Sequence, residues 1–145
     1  MGITLTNRNH SIDLGYAGFN KLRNTIASCL DSEFATLYKE LDKSHHYAEK
    51  GFASEEEFFA DHDRKVLDLC EKKQLDAEVV NFLYRSDADE SSVSAKTCRH
   101  LWKYIKDYDD NIIYGYAGRI DRAMFKDFKE IVEECAKKRW VMRIW

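Results

Sequence analysis

The sequence predicts an α+β fold: five or six helices packed on a small antiparallel sheet, the sheet made from an N-terminal hairpin and a C-terminal strand. Apolar residues recur at three- and four-residue spacing through most of the chain, the period of a helix with one buried face. Apolar and polar residues alternate near the two ends, the period of a half-buried strand. Proline is absent, so no helix interior loses an N–H donor to it.

The elements follow in order. Ile3-Thr4-Leu5-Thr6 and Ser11-Ile12-Asp13-Leu14 alternate around the turn-forming tetrad Asn7-Arg8-Asn9-His10. This predicts a hairpin with Ile3, Leu5, Ile12 and Leu14 on one face. A glycine-bracketed turn follows, Gly15-Tyr16-Ala17-Gly18. Next comes a helical pattern through Phe19, Leu22, Ile26, Cys29 and Leu30, then Phe34, Leu37, Tyr38 and Leu41. Asp31-Ser32 can cap a second helix, so the pattern reads as one helix or two. His45-His46-Tyr47 and the residues up to Gly51 read as a loop.

Ser54-Glu55-Glu56-Glu57 is a capping box, in which the serine accepts an N–H three residues on and the glutamate reaches back. It opens a helix with Phe58, Phe59, Val66, Leu67, Leu69 and Cys70 predicted inward. Asp76 caps a short helix through Val79, Val80, Phe82 and Leu83. Residues 86–94, SDADESSVS, read as a polar acidic loop. Ser94 or Ser92 starts a helix carrying Cys98, Leu101, Trp102 and Ile105. Asp107-Tyr108-Asp109-Asp110-Asn111 ends it, placing negative charge where the helix dipole disfavours it.

The segment Ile112-Ile113-Tyr114 is apolar and extended, and it leads into a second copy of the turn, Gly115-Tyr116-Ala117-Gly118. The last helix then carries Met124, Phe125, Phe128, Ile131, Val132 and Cys135 on one face, with Asp121 as its cap. Lys137-Lys138-Arg139 suit its C-terminal dipole. Trp140, Met142 and Ile144 alternate with Val141, Arg143 and Trp145, which predicts the terminal strand.

The chain has 145 residues, of which 44% are hydrophobic and 34% charged. That fits one globular domain, residues 1–145, with a core of its own. No stretch reaches the roughly 18 apolar residues a membrane span needs, and the N-terminus lacks a basic-then-apolar leader. Met1-Gly2 with Thr6 formally matches a short myristoylation motif. The net charge is −3, with 23 basic against 26 acidic residues. A nucleic-acid binder draws its affinity from a basic excess, so nucleic acid is not an expected partner. Cys29, Cys70, Cys98 and Cys135 lack metal-ligand spacing and each lies on the apolar side of a helix, the pattern of buried free thiols in a reducing cytoplasm.

The two GYAG turns are the candidate ligand site: Gly15, Tyr16 and Gly18 in the first, and Tyr114, Gly115, Tyr116, Gly118 and Arg119 at the second. Glycine permits positive φ and close approach of a ligand. A helix N-terminus just beyond offers free N–H groups to an anion. The tyrosines can stack on a base, and Arg119 can fork onto a phosphate or carboxylate. The same residues also read as plain strand-to-helix turns with buried tyrosines, since no full phosphate-loop pattern is present.

The acidic run Asp87-Ala88-Asp89-Glu90-Ser91 begins like a calcium loop. The pattern then fails, with Ser92 where the sharp-turn glycine belongs and Cys98 where the bidentate glutamate belongs. His45, His46 and His62 read as surface histidines, and His62 has no helical partner four residues away. No metal and no cofactor is expected. There is no G-x-S-x-G elbow and no cysteine with a recognisable partner, so no catalytic residue is assigned. The segment KKRWVMRIW, residues 137–145, interleaves cations and aromatics as a single-strand binder does. Its alternation also fits a half-buried strand.

The segments IDLGYAGFNKLR and IKDYDDNIIYGYAGRIDRAMFKDFKEIVEECA resemble a group of short phage and prophage proteins of Gram-positive bacteria, over nearly the whole chain. That group carries a glycine-aromatic-glycine turn near its start and a YGYAGR turn near its end. Its members carry a glycine in the loop matching residues 86–94, which this chain lacks. The resemblance implies a small cytoplasmic accessory protein of phage origin with no catalytic residues to carry over. The expectation is a non-enzymatic module that binds a host or phage protein. The alternative is a binder of a small anion or nucleotide at the GYAG turns.

Overall fold

The two alternating ends of the chain meet in one sheet. In a computed structural model, which describes residues 3–85, 91–109 and 124–144, β1 (Thr4–Thr6) and β2 (Ser11–Asp13) form the expected hairpin with Leu5 opposite Ile12. Asn7 makes the turn: its side-chain oxygen accepts from the backbone N–H groups of Asn9 and His10, both at 2.8 Å. Asparagine supplies this turn from its own side chain. Ile3, Leu5, Ile12 and Leu14 all face the core, as the alternation predicts.

The C-terminal strand β4 (Met142–Ile144) lies antiparallel to β1, with Ile144 opposite Leu5 and Arg143 opposite Thr6. Its other edge pairs with a strand the sequence reading missed, β3 (Ser91–Val93), with Val93 opposite Met142. The loop expectation is thus corrected for residues 91–93, and residues 86–90 lie outside the described residues. Three residues are too few for an alternation test, and β3 is extended because β4 offers it an edge. The order is β2-β1-β4-β3, so the last strand sits inside the sheet. Leu5, Ile12, Val93, Met142 and Ile144 are buried on one face. Thr4, Thr6, Ser11, Asp13, Ser92 and Arg143 occupy the other, open face, as in an antiparallel sheet covered on one side.

Six α-helices are described. The first two, α1 (Gly15–Leu30) and α2 (Ser32–Lys39), are separated at Asp31, whose carboxylate accepts from the Phe34 N–H at 2.9 Å. The two-helix alternative is therefore the correct one. Next come α3 (Glu55–Lys73), α4 (Ala77–Leu83), α5 (Ala95–Ile105) and α6 (Phe125–Lys138). Ser54, Asp76 and Ser94 cap α3, α4 and α5 as their side chains predict. The cap expected at Asp121 lies outside the described residues. Inside α6, Asp127 accepts from the Met124 N–H at 2.8 Å.

Some expectations are corrected. Residues 45–50 are not a loop but part of a 3-10 helix, Glu40–Lys50, closed by Gly51 at φ +88. It buries no residue, so it leaves no apolar period to read. On α3, Phe59 and Leu67 point outward, while Phe58, His62, Val66 and Leu69 are buried. That helix packs on α2 and the 3-10 helix, which covers a narrower stripe than the spacing suggests.

The core is continuous from the sheet to the α5–α6 pair, where Cys98, Leu101 and Ile105 meet Phe128, Ile131, Val132 and Cys135. The unfavourable negative charge after α5 is answered from α6. Lys129 is buried, and its ammonium donates to the Lys106 carbonyl at 3.1 Å and to the Tyr108 carbonyl. A cation at a helix C-terminus is stabilising. No helix among the described residues is long and apolar enough to cross a membrane.

The internal position of β4 sets a test. Ile144 is buried and opposed on both sides, by Leu5 and Ser91. Ile144→Ala is expected to lower stability by about 2–5 kcal/mol, the cost of a buried isoleucine cavity. Equilibrium urea denaturation measures this, and an unchanged midpoint means that β4 does not hold the sheet.

Candidate functional site

Pairing β1 with β4 brings the Asn7–His10 turn beside the joint between α6 and β4. The joint is tight: Arg139 adopts a left-handed backbone at φ +59, and the Trp140 N–H returns to the Cys135 carbonyl at 3.2 Å. A groove of about 410 Å³ opens there, lined by Arg8, Arg139, Trp140 and Arg143 among others. The Arg8 guanidinium stands 5.3 Å from the centre of the Trp140 ring, and the Lys138 ammonium 4.7 Å. Both lie within cation–π range. Arg143 projects from the open face of the sheet between Thr6 and Ser92.

One carboxylate stands behind this groove and is fully engaged. Glu134 of α6 accepts from Asn9 Nδ2 at 2.9 Å and Asn7 Nδ2 at 3.2 Å, and it meets His10 Nδ1 at 2.5 Å. The Asn9 hydrogen bond leads, with those of Asn7 and His10, in holding the Glu134 carboxyl down at about 2, against partial burial. The hairpin turn is thereby clamped to α6. Among the described residues, neither Arg8 nor Arg139 has an ion-pair partner.

Of the residues singled out in the sequence, Gly15 starts α1 at φ +70, as the positive-φ argument expects. Gly15 and Gly18 are buried, and Tyr16 is 49% exposed. Tyr114, Gly115, Tyr116, Gly118 and Arg119 lie outside the described residues, as do Asp87, Asp89 and Glu90. His45 and His46 are exposed on the 3-10 helix with ring centres 4.0 Å apart.

His62 corrects the surface expectation. It is 3% exposed, its Nε2 lies 3.0 Å from the Tyr84 hydroxyl, and its ring stacks on Phe58. Burial pushes its pKa down. The partner lies 22 residues on, at the end of α4, where no spacing rule reveals it. Among the described residues, no group of three or more histidines, cysteines or acids is placed to hold a metal ion.

The four thiols are free. Cys98 and Cys135 face each other across α5 and α6, fully buried, and their mutual hydrogen bond and burial push the Cys98 thiol up. Cys29 and Cys70 are only half-buried, which corrects the expectation of four fully buried thiols. Burial still raises Cys29 to about 11. The Cys98–Cys135 contact draws the Cys135 thiol down, but that thiol is buried, and an activated thiol also needs an electropositive, accessible setting.

The sequence reading flagged residues 137–145 but missed Arg8, because nothing local ties residue 8 to residue 140. Comparison with protein families, with curated proteins and with solved structures finds no significant match.

The Glu134 clamp has a pH signature. Its folded pKa of about 2 lies below the ordinary 4.5. The clamp's contribution is therefore complete above about pH 4.5 and is lost as pH falls toward 2. Glu134→Gln is expected to flatten the pH dependence of the melting temperature within that window and leave its slope near neutral pH unchanged. An acid limb identical to that of the parent protein means the turn is not held by this carboxylate.

Proposed function

We propose that the protein is a small phage-type accessory protein, without a reaction of its own, that acts by protein–protein contact, with a host factor as its partner. The resemblance of the GYAG-bearing segments to short phage proteins supports the class. The observation that carries the contact is the outer face of α3. Phe59 is 39% exposed and Leu67 69% exposed, on one long helix, about 12 Å apart along its axis. Such a pair suits a helix laid into an apolar groove.

The surrounding surface chooses the partner's charge. Glu55, Glu56, Asp63, Asp68 and Glu71 are exposed on the same helix, while Lys65 is held by Asp61 at 2.9 Å and Arg64 by the same carboxylate. The complementary partner is an apolar groove with a basic rim. The double substitution Phe59→Ser, Leu67→Ser removes the anchors, at the cost within the fold of one edge contact between Phe59 and Phe58. Stability is expected to hold within about 0.5 kcal/mol per site, while a partner captured from host lysate by the parent protein is lost. Equal capture by the variant overturns this reading.

The second reading is an anion or nucleotide at the GYAG turns. Its support is the N-terminus of α1, which has no side-chain cap and no acidic residue in its first turn, beside the exposed Tyr16. Under it, Arg119→Ala leaves the unliganded melting temperature unchanged and abolishes any nucleotide-dependent rise. A melt of the parent protein that no nucleotide shifts ends that reading.

A further inference from the structure

We infer that the groove between the hairpin turn and residues 139–143 is a binding site for a small phosphate-bearing anion. Its cations come from opposite ends of the chain, and only the β1–β4 pairing brings them together. Arg8 and Arg139 have no ion-pair partner among the described residues, in a chain where acids outnumber bases 26 to 23. Among the described residues, no acidic residue lines the groove, and the nearby Glu134 is consumed by Asn7, Asn9 and His10.

Guanidinium forks match the paired oxygens of an oxyanion, and two arginines without acid partners suit the higher charge of a phosphate over that of a single carboxylate. The Trp140 ring is already engaged by Arg8 and Lys138, so an incoming ligand meets cations rather than a bare stacking face. A volume of about 410 Å³ is at the small end of ligand sites. It suits one or two phosphate groups with a modest appendage. A polymer would also meet the net charge of −3. A small anion feels only charges within about 8 Å at physiological salt.

Arg139 makes the site testable without unfolding it. Its left-handed backbone, φ +59, is the conformation glycine adopts without strain at a helix C-terminus. Arg139→Gly therefore removes the guanidinium while relaxing the joint. The full chain is titrated with inorganic pyrophosphate, with ATP and with an oligothymidylate, by thermal melt and by calorimetry at low salt.

Pyrophosphate or ATP is expected to raise the melting temperature. Arg139→Gly combined with Arg8→Gln is expected to weaken that binding by about tenfold or more, with the unliganded melting temperature equal to or above that of the parent. The inference is overturned if neither small anion shifts the melt, or if the double variant binds them as the parent does. Tighter binding of oligothymidylate than of either small anion also overturns it, and assigns the groove to a nucleic-acid strand.

Discussion

The sheet depends on its last strand. A hairpin of two three-residue strands is marginal by itself in water, and among the described residues β3 pairs with β4 alone. By lying between β1 and β3, β4 turns two weak pieces into one four-stranded surface with an apolar face. The contact joins Leu5 to Ile144, nearly the whole length of the chain. Closing so long a loop is less costly than it looks, since each doubling of length adds only about 0.6 kcal/mol. Side-chain burial on the inner face easily exceeds that increment. The sharp exit at Arg139 lets α6 pack against the sheet and its own continuation run within it.

Around that sheet, the helices are oriented by polar groups that serve two elements at once. Asp31 caps α2 and also accepts from Lys73 of α3 at 3.1 Å. Asp76 caps α4 and meets His100 of α5 at 2.7 Å, while Thr97 of α5 donates to Glu78 of α4 at 2.8 Å. Lys129 of α6 ends α5. A cap is worth about 1 kcal/mol, and an exposed ion pair is worth less than about that. Of the two contacts each group makes, the cap therefore contributes the more to stability, and the second fixes how neighbouring helices meet. The Glu134 clamp applies the same device to a turn and a helix.

This division explains what could be read from the sequence. Caps at Asp31, Ser54, Asp76 and Ser94 are local: the side chain reaches an N–H two or three residues away, so the residue type alone announces them. The faces of β1, β2 and β4 were equally legible, because alternation survives whatever the strand pairs with. The burial of His62 was not legible, since Tyr84 on a later element supplies its partner. Nor was the exposure of Leu67, because periodicity says which residues share a face but not how much of that face a neighbour covers. Residues 91–93 became a strand through β4, not through their own composition. The basic groove was half legible. Trp140 and Arg143 stood in a flagged segment, but Arg8 joins them only through sheet register.

Net charge leaves room for such a groove for a related reason. It sums over the chain, while recognition responds to charges within about a Debye length, some 8 Å. Here the acids are used unevenly. Asp31, Asp61, Asp76 and Glu134 are held by donors and cations, and α3 displays an excess of carboxylates beside two exposed apolar side chains. Arg8 and Arg139, which have no ion-pair partner among the described residues, meet where α6 joins β4. The two surfaces share no element, so substitutions on one are expected to act independently of the other. The contact surface proposed on α3 and the anion groove proposed on the sheet are of opposite sign and draw on different residues, so the two proposals do not compete.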